Sequence, residues 1–144
     1  MRLVRIARVF WEVTAILDGR GRSVWAALLD EGNDRYADRM RKRLKQRVPR
    51  AGPRSSRIHG TMLRDGIGEF SEGPRRGKKL RVLYFFDEGH RIICTHHFWK
   101  DTPSTPNSEI NKALKKKRKY FQAKKAGSVK VLLLQDVQER GSER

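Results

Sequence analysis

The chain has 144 residues, with 34 Lys and Arg against 16 Asp and Glu and a formal charge of +18. One domain is the expected size class, and a polyanion such as nucleic acid or the ribosome is the expected partner; a generically basic surface is the weaker account. A single cysteine, Cys94, excludes a disulfide framework and a thiolate metal site and fits a reducing cytoplasm, while no apolar run approaches the roughly 20 residues that span a bilayer.

The N-terminal stretch has basic and apolar residues, but Arg5, Arg8 and Glu12 interrupt it where a signal peptide would be continuous, so it reads as structure. Residues 10–17, FWEVTAIL, have the composition of a strand, which can extend back toward Leu3, and residues 18–22 with two glycines form the turn that ends it. Ser23 suits a helix N-cap, Val24, Ala27 and Leu28 recur at helical spacing, and Gly32 stops the helix. A second helix opens at Asn33 or Asp34, because Tyr36, Met40, Leu44 and Val48 step by four until Pro49. The two form an αα-hairpin. The outer face of the second carries Arg35, Arg39, Arg41, Lys42, Arg43, Lys45 and Arg47; only Asp34 and Asp38 oppose them, so this is a solvated face of strong positive potential.

Residues 49–60 read as a basic loop, and residues 61–73 contain a short strand over 67–70 weakened by glycines. Residues 73–79, GPRRGKK, read as a mobile basic loop in which Arg75, Arg76, Lys78 and Lys79 stand without an acid and can meet phosphate. Residues 80–86 and 91–99 are β-branched and aromatic runs around a turn cluster at 87–90, which predicts an antiparallel hairpin. Its first strand is apolar on both faces, with Leu80, Val82, Tyr84 and Phe86 on one and Leu83 and Phe85 on the other, as for a central strand. Arg81 is the exception: it is either a residue emerging at the sheet edge or a placed cation.

After the hairpin, Thr105, Pro106, Asn107 and Glu109 carry helix-start chemistry, and a third helix runs to about Lys125. Ile110, Ala113, Leu114, Tyr120 and Phe121 make its apolar stripe, and eight Lys or Arg between 112 and 125, among them Lys115 and Arg118, oppose the single acid Glu109. Lys117 interrupts the stripe, so its ammonium must snorkel out, meet an acid or mark where the helix leaves the core. Residues 128–134 predict an edge strand, followed by a polar tail expected to be poorly ordered.

Four histidines raise the question of a metal. His96 and His97 are neighbours on a predicted strand and point to opposite faces unless the strand is bulged, while His59 and His90 lie in loop or turn, so no metal or other cofactor is expected. No phosphate loop, nucleophile elbow or dinucleotide fingerprint is present. What remains is a cationic surface interleaved with Tyr, Trp and His, including His97. Such a surface can bind RNA by stacking and phosphate contacts. It can also cleave RNA without a metal, because the 2′-OH is a built-in nucleophile and the protein need only align it, move protons and stabilise phosphate charge.

Three stretches, GRSVWAALLD at 21–30, LRVLYFF at 80–86, and HHFWKDTPSTP at 96–106 running into EINKALKKKRKY at 109–120, resemble the RelE superfamily of type II toxins, in its HigB-like, phage-derived branch. The resemblance covers roughly residues 10–125. It implies an α+β RelE-like fold: a small, antiparallel-rich sheet of four strands with a helical hairpin and a basic C-terminal helix, in a domain at 1–126 with an extension at 127–144. It also implies a cytoplasmic toxin that cuts mRNA in the ribosomal A site and is neutralised by a cognate antitoxin with a helix-turn-helix DNA-binding domain. By the same resemblance Arg81 matches the strand arginine that acts on the scissile phosphate, Lys100 the lysine of F-x-K, and Glu69 with Phe70 the short strand's E-L pair. A family arginine falls on Ser71 and the second lysine of a K-K pair on Asp101, which lowers local charge unless Arg64, Arg75, Arg76 or Lys78 substitutes. The alternative is a catalytically weak relative that binds RNA, the ribosome or a partner protein without cleavage.

Overall fold

The computed structural model describes residues 1–53 and 60–137. The hairpin at the centre of the sequence forms as β5 (Lys78–Asp87) and β6 (Arg91–Lys100). Between the N-terminus and this pair come β1 (Arg2–Arg8), β2 (Glu12–Ile16), α1 (Val24–Asp30), α2 (Arg35–Lys42), a π turn (Arg43–Arg47), α3 (Val48–Ala51), β3 (Thr61–Met62) and β4 (Gly68–Arg75). Helix α4 (Asn107–Lys125) and β7 (Lys130–Leu133) follow it. The class is α+β. The sheet, however, has seven strands rather than four, in the order β3-β4-β5-β6-β2-β1-β7, and two of its pairings, β2 with β6 and β1 with β7, are parallel.

One of the extra strands comes from the stretch expected as a single strand. Residues 2–16 fold back on themselves as β1 and β2, although no Gly, Pro, Asn or Asp marks the reversal. The turn is held from outside: the N–H groups of Phe10 and Trp11 both bond to the Pro49 carbonyl at 2.9 Å, so a tertiary acceptor replaces local turn chemistry. A second departure is at residues 73–79. These are not a loop but the hairpin between β4 and β5, whose two-residue turn places Arg76 (φ 52°) and Gly77 (φ 80°) in the left-handed region that such tight reversals use.

Strand β5 is covered on both faces, as its sequence predicts. Leu80, Val82 and Tyr84 join Val24, Leu28, Met40, Leu44 and Val48 on the side of α1, α2 and α3. Leu83 and Phe85 meet Ile110, Ala113 and Tyr120 of α4 on the other. Helix α1 starts as expected, with Ser23 Oγ accepting from the Trp25 N–H at 3.2 Å, and Asp34 caps α2. The second helix passes through the π turn and Pro49 before ending at Gly52. Arg43, expected on its outer face, is buried and pairs with Glu72 at 3.0 Å. In α4, Thr105 does not cap the helix; Pro106 occupies the N-cap without a side-chain bond. Lys117 meets no acid among the described residues; its ammonium reaches the surface, where it donates to the Asp65 carbonyl at 2.8 Å. Residues 54–59 of the predicted 49–60 loop, with His59, and the end of the predicted tail lie outside the described residues. Among those described, no helix is long and apolar enough to cross a membrane.

Cys94 lies on the inner face of β6, fully buried, and burial pushes its thiol up to about 12. It should therefore resist iodoacetamide in the native protein and react fully in urea. Fast native labelling would show that β6 opens locally.

Candidate nucleic-acid interface

A one-residue irregularity in β6 determines which of its side chains share a face. Leu83 pairs with His96 and Tyr84 with Cys94, so Thr95 is an extra residue in the ladder. Strict alternation from Ile93 would place His96, Phe98 and Lys100 on the side of α1 and α2; after the bulge they lie on the α4 side, with Arg81. The bulge is buried and tied down: Thr95 Oγ1 bonds to the Leu83 carbonyl at 3.3 Å, and Lys116 of α4 donates to the Thr95 carbonyl at 3.1 Å.

The α4 side of the sheet therefore gathers Glu69, Ser71, Lys79, Arg81, Phe98 and Lys100. Within this group Arg81 does not project to an open surface. It is 3% exposed, with Nε 3.8 Å from Glu69, Nη1 donating to Thr105 Oγ1 at 3.2 Å and Nη2 donating to the Thr102 carbonyl. Thr105 in turn donates to Glu69. The arginine thus clamps the segment from Lys100 into α4 onto β4 and β5. Ser71, opposite Arg81 in the ladder, adds no charge.

The exposed charge lies beside the clamp. Lys79 and Lys100 are direct cross-strand partners on one face, both exposed, and neither makes an ion pair among the described residues. Like charges directly opposite one another destabilise a sheet unless an anion lies between them. Along α4, Lys115 and Arg118 are likewise exposed and unpaired among the described residues, whereas Arg64 is engaged by Asp65 at 3.0 Å and Asn111 at 2.8 Å.

The remaining candidates lie on the opposite side of the sheet. Arg75, Arg76, Lys78 and Trp99 line a shallow cleft. Arg75 stacks on Trp99 with its guanidinium 3.9 Å from the ring centre, and it pairs with Asp34 at 2.6 Å and Glu31 at 3.5 Å. Its charge is neutralised by acids far away in sequence, which a local reading of GPRRGKK does not reveal. Arg76 and Lys78 remain exposed and without ion pairs among the described residues. His97 also faces this side, half-buried near Glu31, with burial lowering its pKa. Thr102, Thr105, Glu31 and Asp34 were not predicted as parts of the site; the T-P motif and a helix cap were the only local hints of them.

The model of the phage-derived protein Gp49-like family (DUF891) matches residues 27–118, well over half of the chain. The chain belongs to this family. The Gp49-like match runs from α1 into α4 and includes Glu69, Arg81 and Lys100, and the family stands in the RelE and toxin–antitoxin context. No curated protein and no solved structure matches the chain.

Two adjacent histidines of this Gp49-like chain do different things. His96 faces α4, its Nε2 2.8 Å from Glu109 and its Nδ1 3.0 Å from Thr95 Oγ1, while His97 faces the other way. Among the described residues no three His, Cys, Asp or Glu side chains come together as a metal site. Burial opposes ionisation of Glu109, but bonds from His96 and Lys112 outweigh it and hold the carboxyl below its usual range. For His96, burial outweighs the Glu109 bond and lowers the pKa from 6.5. The folded imidazole thus resists a proton that the unfolded chain accepts, so stability present above about pH 6.5 should decline as pH falls below it. A thermal midpoint that drops between about pH 7 and 5.5, with a shallower drop in His96→Asn, is the expected result. An identical profile in the variant would assign the effect elsewhere.

Proposed function

We propose that this Gp49-like protein is the toxin of a type II toxin–antitoxin pair, acting in the cytoplasm on mRNA held in the ribosomal A site and neutralised by a cognate antitoxin with a helix-turn-helix DNA-binding domain. The observation that carries the reading is the Lys79–Lys100 pair: two exposed ammonium groups held side by side on one face, with no acid between them among the described residues. A phosphodiester bridging them relieves their repulsion, and the same two charges can stabilise the dianionic phosphorane formed when the adjacent 2′-OH attacks. In this arrangement Arg81, its charge met by Glu69, holds the strand exit that presents Lys100. Lys115 and Arg118 extend the backbone track along α4 on the same side of the sheet, while Arg76 and Lys78 face the other way.

A second reading, RNA or ribosome binding without cleavage, is favoured by a specific feature. Glu69 is committed to Arg81 and Thr105, and the family's following arginine is Ser71, so neither an unengaged Glu69 nor a second arginine stands at the pair among the described residues. Induced expression followed by mapping of mRNA 5′ ends on ribosomes separates the readings. Growth arrest with new ends inside coding sequence, both lost in Lys79→Glu/Lys100→Glu, supports cleavage. Arrest without new ends supports binding alone. No arrest and no ribosome association would defeat both.

A further inference from the structure

The opposite edge of the sheet from β3 carries a feature that the RNA reading does not use. A cleft opens between α1 and the C-terminal strand, with Leu17, Trp25, Leu29, Leu132 and Leu134 in its lining and Arg2 and Arg22 at its margin. Leu17 and Trp25 form a buried floor, at 7% and 6% exposure, while Leu29 on the wall is 44% exposed. The Trp25 indole N–H, buried in this floor, has no hydrogen-bond partner among the described residues. Beside the cleft β7 ends the sheet, and Leu133 is 46% exposed. An aliphatic lining of this kind gains little from a nucleic-acid backbone and much from aliphatic side chains.

We propose that this cleft docks a segment of a partner protein that carries apolar side chains flanked by Asp and Glu. Charge selects that occupant over a second copy of the chain. Two molecules each at +18 repel on approach, whereas an acidic segment is drawn in and its carboxylates can meet Arg2, Arg22 being already paired with Asp30 of the same lining. The inference does not rest on the RNA reading, because none of the residues proposed to track RNA lines this cleft.

The probe is a short labelled peptide of alternating leucine and glutamate, with a serine–glutamate peptide of the same length as control. Fluorescence anisotropy on the full chain should show the leucine peptide binding at least about tenfold tighter than the control. Leu29→Ser, at a half-exposed position where folding is preserved, should remove most of that advantage. Phe121→Ser, an exposed apolar residue on α4 outside the cleft, should leave it intact. A single-stranded RNA oligonucleotide should bind wild type and Leu29→Ser equally. The proposal is overturned if both peptides bind alike, which would mean charge attraction alone, if Phe121→Ser removes the advantage as fully as Leu29→Ser, or if Leu29→Ser weakens RNA as much as peptide. Loss of RNA binding in every arm, with the peptide result as expected, would defeat the RNA reading and leave the cleft standing.

Discussion

Truncating Arg81 to alanine is expected to destabilise the protein by about 3–5 kcal/mol, the range for breaking one side of a buried ion pair. The argument is local. Arg81 and Glu69 are almost fully covered, with side-chain exposures of 4% and 11%, and the guanidinium also satisfies the Thr102 carbonyl and contacts Thr105. Removing it leaves a covered carboxylate with only the Thr105 hydroxyl and frees the strand exit that carries Lys100. Against a typical folding stability of about 5–15 kcal/mol this is a large fraction. The double variant Arg81→Met/Glu69→Met removes both charges at similar volume and should recover most of the loss. Urea denaturation of the two variants checks this; a loss under about 1 kcal/mol in Arg81→Ala would mean the clamp is not structural. The result bears on function as well. Loss of toxicity in Arg81→Ala alone does not establish contact with phosphate, and a stable but inactive double variant would show that one of the two side chains, Arg81 or Glu69, does more than hold the fold.

RNA affinity should fall roughly fiftyfold when monovalent salt rises about fourfold, since four phosphate contacts at about 0.7 released counterions each give a slope near −3 on logarithmic axes. The four cations are Lys79, Lys100, Lys115 and Arg118, all exposed, on the α4 side of the sheet and without an ion pair among the described residues. Neutralising Lys79 and Lys100 together should make the slope shallower by about 1.4. Arg75→Gln serves as the internal contrast. Its charge is already met by Asp34 and Glu31, so its removal should barely change the slope although it lies in the same basic stretch. A flat salt response would defeat the polyanion reading, and equal effects of Arg75 and the lysine pair would place the contact surface elsewhere.

The elements legible in the sequence are those whose signals are local and periodic. Ser23 and Asp34 cap their helices as their chemistry predicts, the apolar residues of β5 divide between two cores by simple alternation, and Ile110, Ala113 and Tyr120 direct one stripe of α4 inward. The stripe's ends were less well read: Leu114 is only half-buried and Phe121 is 36% exposed.

What local signals could not convey is the partner supplied from far along the chain. The β1–β2 reversal depends on the Pro49 carbonyl, the neutrality of Arg75 on Asp34 and Glu31, and the burial of Arg43 on Glu72. Residue order and charge by themselves determined a net charge of +18, a two-sided central strand and a basic terminal helix, because charge excess and hydrophobic period are carried by the residues themselves. Which cations stand together was decided only in three dimensions. One extra residue at Thr95, held by Lys116 from another element, turns Lys100 onto the face of Lys79 and Arg81 and His97 away from it; strand register is a property of the paired sheet, and a slip of one residue exchanges every side chain between its faces.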